Sequence, residues 1–190
     1  MTTPCSPEAE AEGASQFEQW ARMPADERMA AIGAIKPCDL RKVRYGWGVR
    51  ARASQCAPEG DWRLWLILAG RGFGKTRAGA EWVRGVAERD GTARIALVAA
   101  SIAEARAVMV EGPSGLLNIG DPTARPTYES SLRRLKWKGG AEAALYSAAE
   151  AEMLRGPQHS HAWADEIAKW PNAIETWDNL TKPVVRTGGR

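Results

Sequence analysis

Cysteine and histidine are scarce in this sequence. Its 190 residues include three cysteines, Cys5, Cys38 and Cys56, and two histidines, His159 and His161. The cysteines are odd in number, widely spaced and without a C-x-x-C pair. This disfavours a zinc site and a disulfide framework and favours reduced thiols in a cytoplasmic protein. The two histidines would share a face of one strand, but no third ligand of standard spacing accompanies them, which disfavours a metal site.

The sequence also lacks a long apolar run, an export signal and a large excess of charge. No run approaches the roughly 20 residues of a membrane span, and the acidic N-terminus has no basic and then apolar segment. We therefore expect no membrane association. The net charge of +3 is compatible with a phosphate or nucleic-acid partner and requires neither. With 44% hydrophobic and 26% charged residues, the composition is that of one ordinary globular domain with room for a small extension.

A glycine-rich turn between a strand pattern and a helix pattern is the clearest functional signal. The apolar run at residues 64–68 predicts a strand, and Lys75, Thr76 and a helical pattern follow the turn. Strand, glycine loop, Lys-Thr and helix in this order are typical of a phosphate-binding P-loop. The turn consists of Gly70, Arg71, Gly72, Phe73 and Gly74.

Each residue type in this pattern has a chemical reason. Glycines allow successive backbone N–H groups to point inward as an anion nest, and the helix N-terminus adds partial positive charge. The Lys75 ammonium reaches the β- and γ-phosphates, and the Thr76 hydroxyl is placed to ligate Mg²⁺. One position departs from the strict pattern, because Ala69 stands where the first glycine belongs. The alternative is a glycine-rich turn without a ligand, which the agreement of all four parts disfavours.

Strand and helix patterns alternate along the rest of the chain. Residues 94–100 predict a buried parallel strand, and Ser101 caps the next helix. Residues 134–138 and 141–147 predict a hairpin with one cationic face. Upstream, residues 17–35 predict a helix. The basic, aromatic stretch at residues 36–52 suits either a nucleic-acid contact or a solvated surface, and the second is favoured.

A second candidate half-site lies about 90 residues after the glycine loop. The strand-like segment at residues 160–166 ends in Asp165 and Glu166. At the end of a strand beside the loop, Asp165 would hold Mg²⁺ through water and Glu166 would polarise the attacking water as general base. The alternative is an ordinary acidic turn after an edge strand. Arg155 precedes the strand and suits either a phosphate contact or a surface ion pair.

Together these motifs resemble the N-terminal ATPase domain of the large terminase subunit, the DNA-packaging motor of tailed phages, prophages and gene-transfer agents. The resemblance covers roughly residues 45–180. The segments that carry it are GDWR (60–63), AGRGFGKTRAGAEWVR (69–84), RIALVAAS (94–101), VMVEGPSGLL (108–117) and LRGPQHSHAWADEIAKW (154–170). An arginine inside the glycine loop followed by RAGAEWVR is much more specific than a generic P-loop.

The resemblance implies an α/β P-loop NTPase with a mostly parallel sheet of the additional-strand type and flanking helices. It implies ATP and Mg²⁺ as cofactors and Asp165–Glu166 as the Walker B pair. Arg71 would stabilise charge on the γ-phosphate or respond to nucleotide state, and Trp62 and Trp65 would lie near the adenine. The implied partners are double-stranded DNA, the portal protein, the small terminase subunit and further copies in a ring. The implied location is the host bacterial cytoplasm.

The resemblance also divides the chain into three regions. We expect an N-terminal leader and helix at residues 1–44, the ATPase domain at 45–180 and an atypical tail at 181–190. The tail, TKPVVRTGGR, resembles no coupling motif, and no acidic cluster follows for a nuclease site. These features suggest a truncated subunit without its nuclease domain, whose sheet is incomplete at the C-terminus. The alternatives are a non-functional remnant, which leaves apolar edges exposed, and another P-loop ATPase of helicase-like type.

Overall fold

The computed structural model describes residues 15–186, and the chain divides into two compact units, Met1–Pro58 and Glu59–Arg190. Residues 1–14, the first part of the predicted leader and helix at 1–44, lie outside the described residues. The division by compactness falls after residue 58, whereas the division by resemblance falls after residue 44. The boundary after residue 44 rests on the resemblance and stays a prediction.

The first unit consists of short helices. They are α1 (Gln16–Arg22), α2 (Ala25–Gly33), α3 (Leu40–Tyr45) and α4 (Trp47–Arg50). The helix predicted over residues 17–35 is therefore two helices. Ser15 and Glu18 form a capping box at the start of α1, and Pro24 precedes the first residue of α2. Proline lacks the N–H that would continue α1 through this point.

A five-stranded mixed sheet forms the centre of the second unit. Its strands are β1 (Arg94–Ala99), β2 (Thr127–Glu129), β3 (Arg134–Lys136), β4 (Glu142–Ser147) and β5 (His161–Ala164), in the spatial order β2-β3-β4-β1-β5. β1 pairs in parallel with β4 and β5. β3 pairs antiparallel with β2 and β4, which confirms the predicted hairpin. The chain is α/β, but the sheet is mixed rather than mostly parallel, because parallel pairing is confined to one side.

Strand β1 divides two hydrophobic cores because alternate side chains of a strand point to opposite faces. Ile95 and Leu97 belong to the first core, whereas Ala96 and Val98 belong to the second. Both faces of β1 are therefore buried, as the continuous apolar run of residues 94–100 predicts.

Helices cover both faces of this sheet. Helix α5 (Lys75–Arg89) contributes Ala80, Val83 and Val86 to the first core. Ser101 caps α6 (Ile102–Glu104), as predicted, and a π-helix continues it over Ala105–Val110. Helix α7 (Ala173–Arg186) lies on the other face, where its Thr176 hydroxyl donates to the Ala148 carbonyl at 3.1 Å. Residues 181–186, predicted as part of an atypical tail, continue α7.

The strand predicted at residues 64–68 is absent. In the part of the chain that the structure describes, this segment belongs to no strand of the sheet. Leu64, Leu66 and Leu68 are 60%, 60% and 85% exposed, whereas the residues between them are half-buried. Strong β propensity does not form a strand without a partner for its backbone N–H and C=O groups.

Two of the three cysteines lie within the described residues. Cys38 is a free and exposed thiol, but Cys56 is disulfide-bonded, so the prediction of three reduced thiols is wrong for Cys56. Within residues 15–186, no helix is both long and apolar enough to cross a bilayer.

The contact between α5 and β5 depends on the absence of a side chain at Gly79. A Cβ atom there would lie 2.4 Å from Cε2 of Trp163. We expect Gly79→Ala to lower the free energy of unfolding by about 1–2 kcal/mol, because overpacking costs more than the helix propensity of alanine returns. The measurement is the melting temperature, which should fall by several degrees.

Gly85→Ala on the same helix is the matched control. Its Cβ would meet only the flexible end of Arg89, at 3.1 Å. This variant should melt at or above the parent temperature, since alanine stabilises a helix interior. Equal melting temperatures for the two variants would contradict a tight contact at Gly79.

Buried His159 makes the stability of the fold depend on pH. The side chain is 4% exposed and lies edge-on to the Tyr146 ring, with centroids 5.1 Å apart. Burial lowers its pKa from 6.5 to about 4. The unfolded chain therefore takes up this proton first. The contribution of neutral His159 is complete above pH 6.5 and is lost as the pH falls towards 4.

We expect the free energy of unfolding of the parent to fall by about 2 kcal/mol more than that of His159→Gln between pH 7 and pH 5. Urea titrations of the parent and of His159→Gln at the two pH values measure this difference. The other titrating groups are common to both proteins, so their contributions cancel. The packing that His159→Gln loses lowers the variant's free energy of unfolding equally at pH 7 and pH 5, so it does not affect the comparison. A parent and a His159→Gln variant with the same pH dependence would contradict this assignment.

Candidate functional site

The glycine loop ends in the backbone conformation that glycine favours. Gly72 and Gly74 have φ angles of 81° and 91°, in the region that a Cβ atom strains. Gly74 is the N-cap of α5, and Lys75 is the first residue of the helix. The N–H groups at the start of α5, which have no acceptor in a preceding helical turn, therefore open towards the loop. Gly70 and Arg71 are exposed, and Phe73 and Thr76 are half-buried.

The Lys75 ammonium group folds back over the loop. Its Nζ donates to the carbonyls of Ala69 at 2.8 Å and Gly70 at 3.1 Å. Both acceptors are neutral backbone groups. An anion bound at the loop would offer Lys75 a charged and therefore stronger acceptor.

Asp165 and Glu166 follow β5 at the edge of the sheet where parallel β1 also ends. The backbone N–H of Asp165 donates to the Val98 carbonyl at 2.9 Å, which extends the β1–β5 ladder by one residue. The Trp170 indole N–H donates to the Asp165 carbonyl at 2.9 Å. Glu166 has φ 47° and ψ 51°, a left-handed conformation that is costly for a residue other than glycine.

The two acidic side chains differ in their electrostatics. Burial, reinforced by the negative charges of Glu166 and Glu104, raises the pKa of Asp165 to about 6. Glu166 is exposed, and its hydrogen bond to Lys169 lowers its pKa. Asp165 is thus an unusually basic carboxylate, which a bound cation would hold in its charged form.

The loop and the acidic pair lie within electrostatic reach of each other. The positive charge of Lys75 lowers the pKa of both Asp165 and Glu166, and that of Arg71 lowers the pKa of Glu166. Two segments about 90 residues apart therefore meet at one end of the sheet. They meet because α5 packs against β5, through Gly79 and Trp163.

A row of rings leads from the segment before the loop to β5. The Trp62 and Trp65 rings are 6.3 Å apart, Trp62 and Trp82 are 6.1 Å apart, and Trp82 and His161 are 5.8 Å apart. These distances are those of packed aromatic pairs. Trp62 and Trp65 are thus in contact with each other, and their place beside an adenine stays a prediction.

The two histidines do not share a face. His159 contacts Tyr146, which packs against the second core, whereas His161 contacts Trp82, which packs against the first. Strand β5 begins only at His161, so strand alternation does not extend back to His159. Among the described residues, no group of three or more His, Cys, Asp or Glu side chains is arranged to hold a metal ion.

Arg155 belongs to the structure of the second face. It pairs with Glu152 at 2.9 Å and with Glu175 of α7 at 3.3 Å, and donates to the Asn179 amide oxygen at 3.4 Å. These contacts support an ion pair between the segment before β5 and α7. They give no support to the alternative prediction that Arg155 contacts a phosphate.

The prediction from sequence missed two residues beside the acidic pair. Lys169 forms an ion pair with Glu166, three residues earlier, and its Nζ also lies 3.6 Å from Oε1 of Glu104 at the end of α6. The spacing of Glu166 and Lys169 is a local signal that the sequence offers. Glu104 is distant in sequence, and only the adjacency of β1 and β5 brings it here.

Comparison with known proteins identifies the family. No curated protein matches the chain. Residues 66–189 match the family described as terminase large subunit, T4likevirus-type, N-terminal. This match covers more than half of the chain, including the glycine loop and the Asp165–Glu166 pair. The chain therefore belongs to the terminase large subunit family of phage DNA packaging, of which it matches the N-terminal part.

Proposed function

We propose that this chain is the ATP-hydrolysing motor module of a phage-type terminase large subunit. The observation that carries the proposal is the meeting of Lys75, at the start of α5, with Asp165 and Glu166, at the end of β5. A lysine at a helix N-terminus facing a carboxylate pair is the arrangement that a P-loop NTPase requires. Family membership supports the same conclusion.

The residues present fit a triphosphate. Positive φ angles at Gly72 and Gly74 leave room for the backbone to approach an anion. The Lys75 ammonium donates to the neutral carbonyls of Ala69 and Gly70. It can exchange them for the β- and γ-phosphate oxygens. Arg71, exposed in the loop, supplies a second cation for charge that develops on the γ-phosphate.

Thr76 and Asp165 are the residues that would hold Mg²⁺. Mg²⁺ prefers hydroxyl, carboxylate, phosphate and water oxygens, and would neutralise charge on the phosphates during phosphoryl transfer. Asp165 suits this role because its raised pKa reflects burial and two neighbouring negative charges. A bound cation relieves that repulsion.

Glu166 is the candidate general base. Its carboxylate is exposed, and its lowered pKa keeps it ionised at neutral pH. An ionised carboxylate beside the γ-phosphate accepts a proton from the attacking water. Trp62 and Trp65 would lie against the adenine, since indole faces stack on bases.

The partners belong to the same proposal. Hydrolysis would drive double-stranded DNA through the portal protein into a capsid, with the small terminase subunit and a ring of copies completing the assembly in the bacterial cytoplasm. A prophage or gene-transfer agent is the proposed source. Family membership supports a DNA-packaging role for the chain, and these finer assignments rest on the resemblance.

Loss of the Lys75 side chain should abolish stabilisation by nucleotide. At about 100 times its dissociation constant, MgATP should add roughly 2.7 kcal/mol to the parent's stability, a shift of several degrees in the melting temperature. Lys75→Ala should show little or no shift, because the loop loses the cation that binds the phosphates. Thermal melts with and without MgATP measure both.

Lys182→Ala is the control for loss of one positive charge, because Lys182 is exposed on α7. This variant should keep the parent's shift. An unchanged MgATP shift in Lys75→Ala would exclude the loop as the phosphate site.

Replacement of Glu166 by glutamine should separate binding from turnover. Glu166→Gln keeps the shape of the side chain but cannot accept the proton, so turnover should fall by about 10²–10⁴. MgATP affinity should stay near that of the parent. Phosphate release at high protein concentration, where a ring can supply a neighbour's arginine, measures turnover. Turnover at the parent rate would show that Glu166 is not the base.

One observation favours the alternative of a non-functional remnant. The leucines at residues 64, 66 and 68 are exposed immediately before the loop, and exposed apolar rows favour association. The same melts distinguish the two readings. A cooperative transition that MgATP raises supports a motor module, whereas the absence of a cooperative transition supports a remnant.

A further inference from the structure

Lys169 connects two carboxylates that come from different parts of the fold. Its ammonium group pairs with Glu166 and lies 3.6 Å from Oε1 of Glu104. Glu104 follows β1 and Glu166 follows β5, and these two parallel strands are neighbours in the sheet. Lys169 therefore lies between the ends of two strands that meet at the candidate site.

The backbone around Lys169 is fixed. Residues Ile167–Lys169 form one turn of 3-10 helix, and the Lys169 N–H donates to the Glu166 carbonyl at 2.9 Å. Trp170 comes next, is buried in the second core, and donates its indole N–H to the Asp165 carbonyl. The anchored turn holds Lys169 beside Glu166 and supports the left-handed conformation of Glu166.

Three cations compete for the Glu166 carboxylate. Lys169 has the largest effect on it, and Lys75 and Arg71 act on it more weakly. If Lys169 were uncharged, Lys75 and Arg71 of the glycine loop would be the cations that still act on Glu166. A carboxylate paired with Lys75 would compete directly with a phosphate group for the same ammonium.

We propose that Lys169 is a positioning residue that holds the Glu166 carboxylate at the end of β5 and so keeps Lys75 open to phosphate. Glu104 takes part as the second carboxylate beside the Lys169 ammonium. This inference rests on the proposed function, and it adds that the acidic pair needs its own counter-charge within the same turn.

The test is a double-mutant cycle on MgATP affinity, measured by calorimetric titration. Lys169→Met keeps the length of the side chain and removes its charge. In the parent background it should weaken binding by about tenfold, which corresponds to 1.4 kcal/mol. In a Glu166→Gln background it should cost no more than Lys182→Met, because no carboxylate is left to move onto Lys75. Lys169→Arg should bind like the parent.

The outcomes separate the inference from the function on which it rests. Equal losses in the two backgrounds, or a loss no larger than that of Lys182→Met, would overturn the role of Lys169 alone. A parent that does not bind MgATP would overturn the proposed function, and the inference with it. A loss that needs Glu166 supports both, since a general effect on folding or charge would not depend on that carboxylate.

Discussion

The contact of helix α5 with strand β5 is the constraint on which the candidate site depends. Gly79 lets the helix backbone approach the Trp163 indole so closely that even a methyl group would not fit. Lys75 lies one turn before Gly79 on the helix, and Asp165 lies two residues after Trp163 along the chain. One packing contact therefore sets the separation between the loop lysine and the acidic pair. A shift of this contact would alter both halves of the site together.

The same helix carries a buried charge that is fully matched. Glu81 is buried, and it pairs with Arg77 at 2.8 Å and with Arg84 at 2.7 Å. A buried carboxylate is tolerated only when it is paired and hydrogen-bonded. Gly120, with φ of 66°, leaves room for the Arg84 stem. The ion pairs of Glu81 and the contact of Arg84 with Gly120 hold α5 in place. The loop therefore does not have to hold the start of the helix.

Local patterns predicted local structure well. The run at residues 94–100 forms β1, Ser101 caps its helix, and the hairpin of β3 and β4 forms as expected. The failures concern pairing between distant segments. Sequence reasoning did not foresee that residues 64–68 lack a strand partner, or that Glu104 would reach Lys169. Periodicity records which face of an element is apolar, but not which element covers that face.

The same contrast between local patterns and distant pairing applies to the candidate site. Glycines before a lysine and a helix indicate an anion site because each residue has a local chemical role. The position of Asp165 relative to that loop depends on how closely α5 packs against β5, which the motifs do not specify. The electrostatic environment of Glu166 extends beyond its own segment, since it combines the neighbouring Lys169 with Lys75 and Arg71 of the glycine loop.

The segment before the loop would contribute to the free energy of ligand binding. Residues 64–68 have no strand partner among the described residues, so the loop is fixed on its helix side and by the two hydrogen bonds from Lys75 to Ala69 and Gly70. A phosphate that took Lys75 away from these carbonyls would cost the loop both hydrogen bonds. Part of the binding free energy must then replace them, through backbone N–H groups of the loop that bind the anion. If the loop binds nucleotide as proposed, its affinity should depend on how well residues 64–70 are ordered once Lys75 has turned to the ligand.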